Sequence, residues 1–111
     1  MTEEEILTIK HKIKAKIEAI NEHIASLEFS IQQVPQLDEL DKASRSEAMN
    51  YKRKREADIR KSMKKLSEYE IALKRVDAPG FGICIECDKP IQMTKLMLIP
   101  ETMYCVRCHK M

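Results

Sequence analysis

All four cysteines of this 111-residue chain fall in two C-x-x-C pairs, Cys84-Ile85-Glu86-Cys87 and Cys105-Val106-Arg107-Cys108, separated by 17 residues. Thiolates bind divalent zinc strongly, and two such pairs at this separation can close a tetrahedral four-sulfur site. A site closed by four protein ligands leaves no position for water, so one Zn²⁺ with a structural role is predicted and metal-centred catalysis is not. Two disulfides are the alternative, because a small core often needs covalent staples. They want an exported chain, however. Met1-Thr2-Glu3-Glu4-Glu5 is acidic where a signal peptide is basic, and no long apolar region follows. A thioredoxin-like redox pair wants one C-x-x-C in an α/β pattern, and neither condition holds. His109 follows the last cysteine and reads as a neighbour of the site rather than a ligand.

The rest of the chain must position those cysteines. Charged residues make up 34% and aromatics 5%, with two glycines, which suits long helices with an aliphatic seam better than a compact sandwich or α/β core. Ile6, Ile9, Ile13, Ile17, Ile20, Ile24, Leu27, Ile31 and Val34 recur at steps of three and four, a heptad-type seam. Thr2 and Glu5 have capping-box spacing at its start, and Pro35 ends it. A second helix is predicted to begin between Asp38 and Ser44 and to run to Val76. Its seam is read as Ile59, Met63, Leu66, Leu73 and Val76, with Arg45, Lys52 and Arg55 nearer the turn. Asp77-Ala78-Pro79-Gly80 breaks it. Two long helices joined by a short turn predict an antiparallel coiled-coil hairpin over 1–78 with its turn at 35–43. A small zinc-ribbon-like finger over 79–111 follows, in which Leu96, Leu98 and Ile99 are expected to cap the metal.

Charge is unevenly spread. Residues 1–41 carry four Lys and nine Asp/Glu, a net −5; residues 42–76 carry twelve Lys/Arg and five Asp/Glu, a net +7; the remainder is neutral. No apolar stretch is long enough to cross a bilayer, and a soluble cytoplasmic protein is expected. No nucleophile–base set is evident, so an enzyme is not expected.

A hairpin leading through Phe81-Gly82 into a four-cysteine finger resembles the DksA/TraR family of bacterial transcription factors. Asp38-Glu39-Leu40-Asp41-Lys42-Ala43 matches that family's D-x-x-D-x-A tip motif, at the place where the hairpin must reverse. Phe81-Gly82-Ile83-Cys84-Ile85-Glu86-Cys87, with Pro90-Ile91 and Ile99-Pro100, is similar to its finger. The resemblance implies a hairpin that enters the secondary channel of RNA polymerase and alters initiation through tip residues, here Asp38, Asp41 and Ala43, without binding promoter DNA, and no direct DNA binding is expected. Helix capping is the competing role for both aspartates. Lys52, Arg53, Lys54 and Arg55 are a candidate polymerase-binding patch, or a solvated face paired with acids such as Glu18, Glu22 and Glu28. Some members respond to guanosine tetraphosphate; no motif for that ligand is matched here, and no residue is assigned to it. Two other function classes fit parts of the pattern. One is a nucleic-acid-binding zinc ribbon on a coiled-coil arm, with the cations of 42–65 on phosphate. The other is a hairpin adaptor for protein partners.

Overall fold

A computed structural model describes residues 1–108; His109 therefore lies outside the described residues. The chain is mostly helical. Two long helices, α1 (Glu3–Gln32) and α2 (Lys42–Arg75), pack as a hairpin, and a short helix α3 (Met93–Leu98) lies between the two cysteine pairs. Contacts divide the chain into two units, Met1–Glu18 with the chain from Ser67 onward, and Ala19–Leu66.

In the unit Ala19–Leu66, Ile24 and Leu27 of α1 are buried, and Ile20, Ile31 and Val34 are half-buried. They face a poorer partner. The half-buried positions of α2 are Ser44, Ala48, Lys52, Arg55, Ala57, Ile59, Ser62, Lys65 and Leu66, so aliphatic α1 residues pack largely on small side chains and on the stems of cations. Two expectations are corrected here. Met63 is 55% exposed, and Ser62 occupies the seam position one residue earlier. Arg45 is also exposed, and its Nη2 donates to Leu40 O at 3.1 Å.

α1 stops at Gln32, three residues before Pro35. The proline ring disfavours helical geometry at the residue before it, so the chain must leave the helix there. A single 3₁₀ turn, Leu37–Glu39, then reverses the chain, held by Glu39 N to Gln36 O at 3.1 Å and Leu40 N to Leu37 O at 3.3 Å.

In the other unit, Ile9 and Ile13 of α1 are fully buried with Tyr69, Ala72 and Val76 of the α2 end. Tyr69 and Ala72 fall outside the seam read from the sequence, which had Leu66 followed by Leu73. A heptad phase drifts along a straight helix, and here Tyr69, Ala72 and Val76 are buried while Leu73 is half-buried. The ammonium of Lys16 lies 5.6 Å from the centre of the Tyr69 ring, which places a cation over the face of a buried aromatic. The α1 start is closed as its sequence requires. Thr2 N donates to Glu5 Oε1 at 2.9 Å and Glu5 N donates to Thr2 Oγ1 at 3.1 Å, a reciprocal capping box. Lys10 Nζ and Asp77 Oδ1 form an ion pair of 2.6 Å near the α2 end, where such exposed pairs contribute under about 1 kcal/mol.

Candidate metal centre and hairpin turn

Each cysteine pair sits on a tight backbone knuckle. In the first, Asp88 N donates to Cys84 O at 3.0 Å and Cys84 N donates to Lys89 O at 2.9 Å. Asp88 takes a positive φ of 59° to close this loop, a conformation that Asp tolerates better than most residues. An isolated antiparallel bridge between Ile83 and Pro90 zips the loop shut, with Ile91 N on Gly82 O at 2.7 Å. Gly82 itself has φ +83°, and a Cβ there would collide with the end of the Met1 side chain. In the second knuckle Cys108 N donates to Cys105 O at 3.1 Å. The two knuckles are joined by Ile85 N on Met103 O at 3.0 Å.

This brings the four Sγ atoms of Cys84, Cys87, Cys105 and Cys108 within 4.8 Å of one another, with Cys87 and Cys105 sulfurs 3.6 Å apart. Four sulfurs each about 2.3 Å from a tetrahedral zinc stand about 3.8 Å from each other, so the cluster fits one such ion. No disulfide is present, since all four cysteines are free. The protons are unevenly held among them. The backbone N–H of Cys105, joined by those of Cys87 and Glu86, draws the Cys84 thiol down to about 6. The sulfurs of Cys105 and Cys84, with desolvation, push Cys108 up to about 12. Four thiolates this close cannot all carry charge alone, and a divalent cation is what relieves them.

The supports of this centre were only partly legible. Leu96 is buried, but Leu98 is 74% exposed and Ile99 is also exposed; Ile91 and Pro100 are buried instead. The reason is α3. A six-residue helix turns Leu96 inward and sends Leu98 outward. Among the described residues the finger has one β-bridge and this helix rather than ribbon strands. Lys95, absent from the sequence reading, is buried to 9% exposure. Its Nζ donates to Tyr104 O at 2.6 Å and to Cys105 O at 3.3 Å, fastening the second knuckle to α3. Thr102 Oγ1 accepts from Tyr104 N, and Gln92 Oε1 accepts from Val106 N. The available signal was a lysine set in an otherwise apolar stretch, Leu96-Met97-Leu98-Ile99.

The turn residues are in the other unit. Asp38 is exposed on the 3₁₀ turn and makes no hydrogen bond or ion pair among the described residues. Asp41 directly precedes α2, where its Oδ1 accepts from Ser44 N at 2.7 Å, so it is the N-cap. The Ser44 backbone N–H holds the Asp41 carboxyl below its ordinary value of 3.8. α2 therefore starts at Lys42, inside the Asp38–Ser44 span predicted from the sequence. Ala43 is exposed in the first turn of α2. Farther along, Arg53 and Lys54 are exposed, while Lys52 and Arg55 are half-buried. The Arg55 guanidinium stacks 4.2 Å from the Tyr51 ring centre. Among the described residues no ion pair joins these four cations to Glu22 or Glu28.

No described helix is long and apolar enough to cross a membrane. Comparison with protein families finds that residues 79–110 match the model of the prokaryotic dksA/traR C4-type zinc finger. No curated protein matches the chain significantly, and no solved structure does.

Proposed function

We propose, from the premise that residues 79–110 form a prokaryotic dksA/traR C4-type zinc finger, that this chain is a non-enzymatic bacterial transcription regulator acting on RNA polymerase. In this reading residues 1–78 serve as the hairpin and 79–111 as the finger, in the cytoplasm. The hairpin enters the secondary channel, and Asp38, Asp41 and Ala43 act near the polymerase active centre. The observation that carries it is the pairing of this finger with a D-x-x-D-x-A sequence at the reversal between two long helices.

The chemistry of the turn supports a division of labour. Asp38 has its whole carboxylate available, whereas Asp41 has one oxygen engaged in the cap. A carboxylate brought to a metal-rich, cation-lined centre perturbs it through a Coulomb interaction that strengthens as water is excluded. Lys52, Arg53, Lys54 and Arg55 grip acidic polymerase surface in the same reading. When bound, zinc supplies only cohesion: Cys84, Cys87, Cys105 and Cys108 hold it, and Lys95 fixes the backbone of the second knuckle.

In vitro transcription with purified polymerase tests this, alongside capture of core polymerase by tagged protein. Wild type is expected to bind polymerase and shift promoter output. Asp38→Asn/Asp41→Asn is expected to bind but to lose the shift. A double variant that retained the full effect on transcription would overturn the role of the tip. Sequence-selective retardation of promoter DNA without polymerase would favour the nucleic-acid-binding ribbon instead.

A further inference from the structure

The turn end of the hairpin leaves part of its seam unfilled. Val34 and Pro35 follow α1, and the half-buried α2 residues that share a groove with them are only Ser44 and Ala48. Small side chains at positions where a helical seam usually carries leucine leave space, here a groove of about 390 Å³. Leu40 and the Tyr51 ring complete its apolar wall. The ring is backed by the Arg55 guanidinium, 4.2 Å from its centre. Ser30 Oγ, also in the lining, is turned back onto its own helix, donating to Ser26 O at 3.0 Å. Glu47 is the only charged residue of the lining; it is exposed, and among the described residues it makes no ion pair. Lys42, Arg45 and Arg53 border a separate hollow on α2.

We infer that this groove receives an apolar side chain of RNA polymerase that stands beside a lysine or arginine, the cation pairing with Glu47. The inference rests on the polymerase reading and deepens it, by giving the turn an anchor. Three observations choose this occupant. First, the groove is continuous with the D-x-x-D-x-A sequence, because Leu40 belongs to both. Second, the charge is complementary to a cation. From Ser30 to Ala48 the acids Asp38, Glu39, Asp41 and Glu47 outnumber Lys42 and Arg45, and Arg45 already gives Nη2 to Leu40 O. A two-fold pairing of two copies would instead set those acids against each other. Third, exposed carboxylates add little affinity by themselves, whereas an apolar anchor seated in a desolvated pocket dominates an interface. Tyrosine is enriched at such sites, and Tyr51 supplies one wall. The groove thus holds the polymerase, and Asp38 beside it is left to act.

Fluorescence anisotropy of labelled full-length zinc-loaded protein, titrated with purified bacterial core RNA polymerase, tests this. Ala48→Leu fills the groove and is expected to bind about 10-fold more weakly, with a thermal midpoint no lower than wild type. Glu47→Lys is expected to lose a similar factor in about 0.1 M salt. That loss shrinks toward about 0.5 M salt, because exposed charges are screened, while the Ala48→Leu loss persists. Met49→Ala, whose side chain borders the separate hollow, is expected to keep wild-type affinity. Glu47→Lys, at an exposed position, decides the matter should Ala48→Leu melt below wild type. Failure of the wild type to bind polymerase would overturn the polymerase reading itself. Wild-type binding with undiminished affinity in Glu47→Lys, or in a stably folded Ala48→Leu, would overturn the groove alone, as would equal weakening by Met49→Ala. A wild-type dimer in analytical ultracentrifugation that Ala48→Leu disperses would assign the groove to a second copy instead.

Discussion

At the scale of single residues, two aspartates three positions apart have different work. Asp41 caps α2 through Ser44 N, and Asp38 has no such duty. Asn caps nearly as well as Asp, so Asp41→Asn removes charge and keeps the cap, while Asp41→Ala removes both. Thermal melts followed by circular dichroism are expected to place Asp41→Ala below wild type, with Asp38→Asn unchanged. The pH dependence has a definite sign. The carboxyl of Asp41 is held below its unfolded value of 3.8, so its stabilisation is present above that pH and is lost as pH falls through the lower folded value. Acid titration of the wild type against Asp41→Asn checks this, the difference vanishing at low pH. Lys95 is the other residue with a separable role. Lys95→Met removes the ammonium that bridges the Tyr104 and Cys105 carbonyls, leaving them only Thr102 Oγ1 and Cys108 N as donors. Outer groups of this type typically alter metal affinity about 10–100-fold. Competition with a zinc chelator is expected to show a loss in that range, with one zinc still bound at saturation.

Among the elements, the hairpin is apolar on α1 and mixed on α2. Ile13 is fully buried, so Ile13→Ala is expected to cost about 3 kcal/mol, from lost transfer energy and the cavity left behind. Met63→Ala is expected to change stability by no more than about 0.5 kcal/mol, because that side chain is exposed. Urea denaturation of both variants separates the observed seam from the one the heptad count proposed. That count located every buried position of α1, where isoleucines mark the stripe without ambiguity. On α2 it was right for Ile59, Leu66, Leu73 and Val76, wrong for Met63, and blind to Ser62, Lys65, Tyr69 and Ala72, which a search for aliphatic residues passes over. A lysine stem or a serine can occupy a helix seam, but neither announces itself by type. α3 was missed for a related reason. Six residues are too few to show a helical period, and Leu98 and Ile99 looked like core until the turn of the helix pointed them outward.

For the whole molecule, the finger and the hairpin draw on different sources of stability. The hairpin buries an aliphatic seam, whereas the finger orders its short loops around four sulfurs. Mass spectrometry under native conditions is expected to find one zinc per chain. Zinc is held by thiolates, and protons compete with the metal for all four sulfurs, so zinc release is expected on acidification and not on raising the pH. Removal of zinc at neutral pH is expected to expose the backbone amides of 83–108 to hydrogen exchange while those of 20–31 and 46–66 keep their protection. Equal loss of protection in both regions would contradict this division.

By itself the sequence determined the metal, its four ligands, the two helices and the place where they reverse. Each is set by local chemistry: thiolate pairs at fixed spacing, an isoleucine repeat, a proline stop and a capping aspartate. Tertiary structure decided what those signals could not reach. It chose which face of α2 turns inward and brought Lys95 from α3 onto the carbonyls of the second knuckle. Those outcomes depend on side chains distant in sequence meeting or failing to meet, and spacing along the chain holds no record of that.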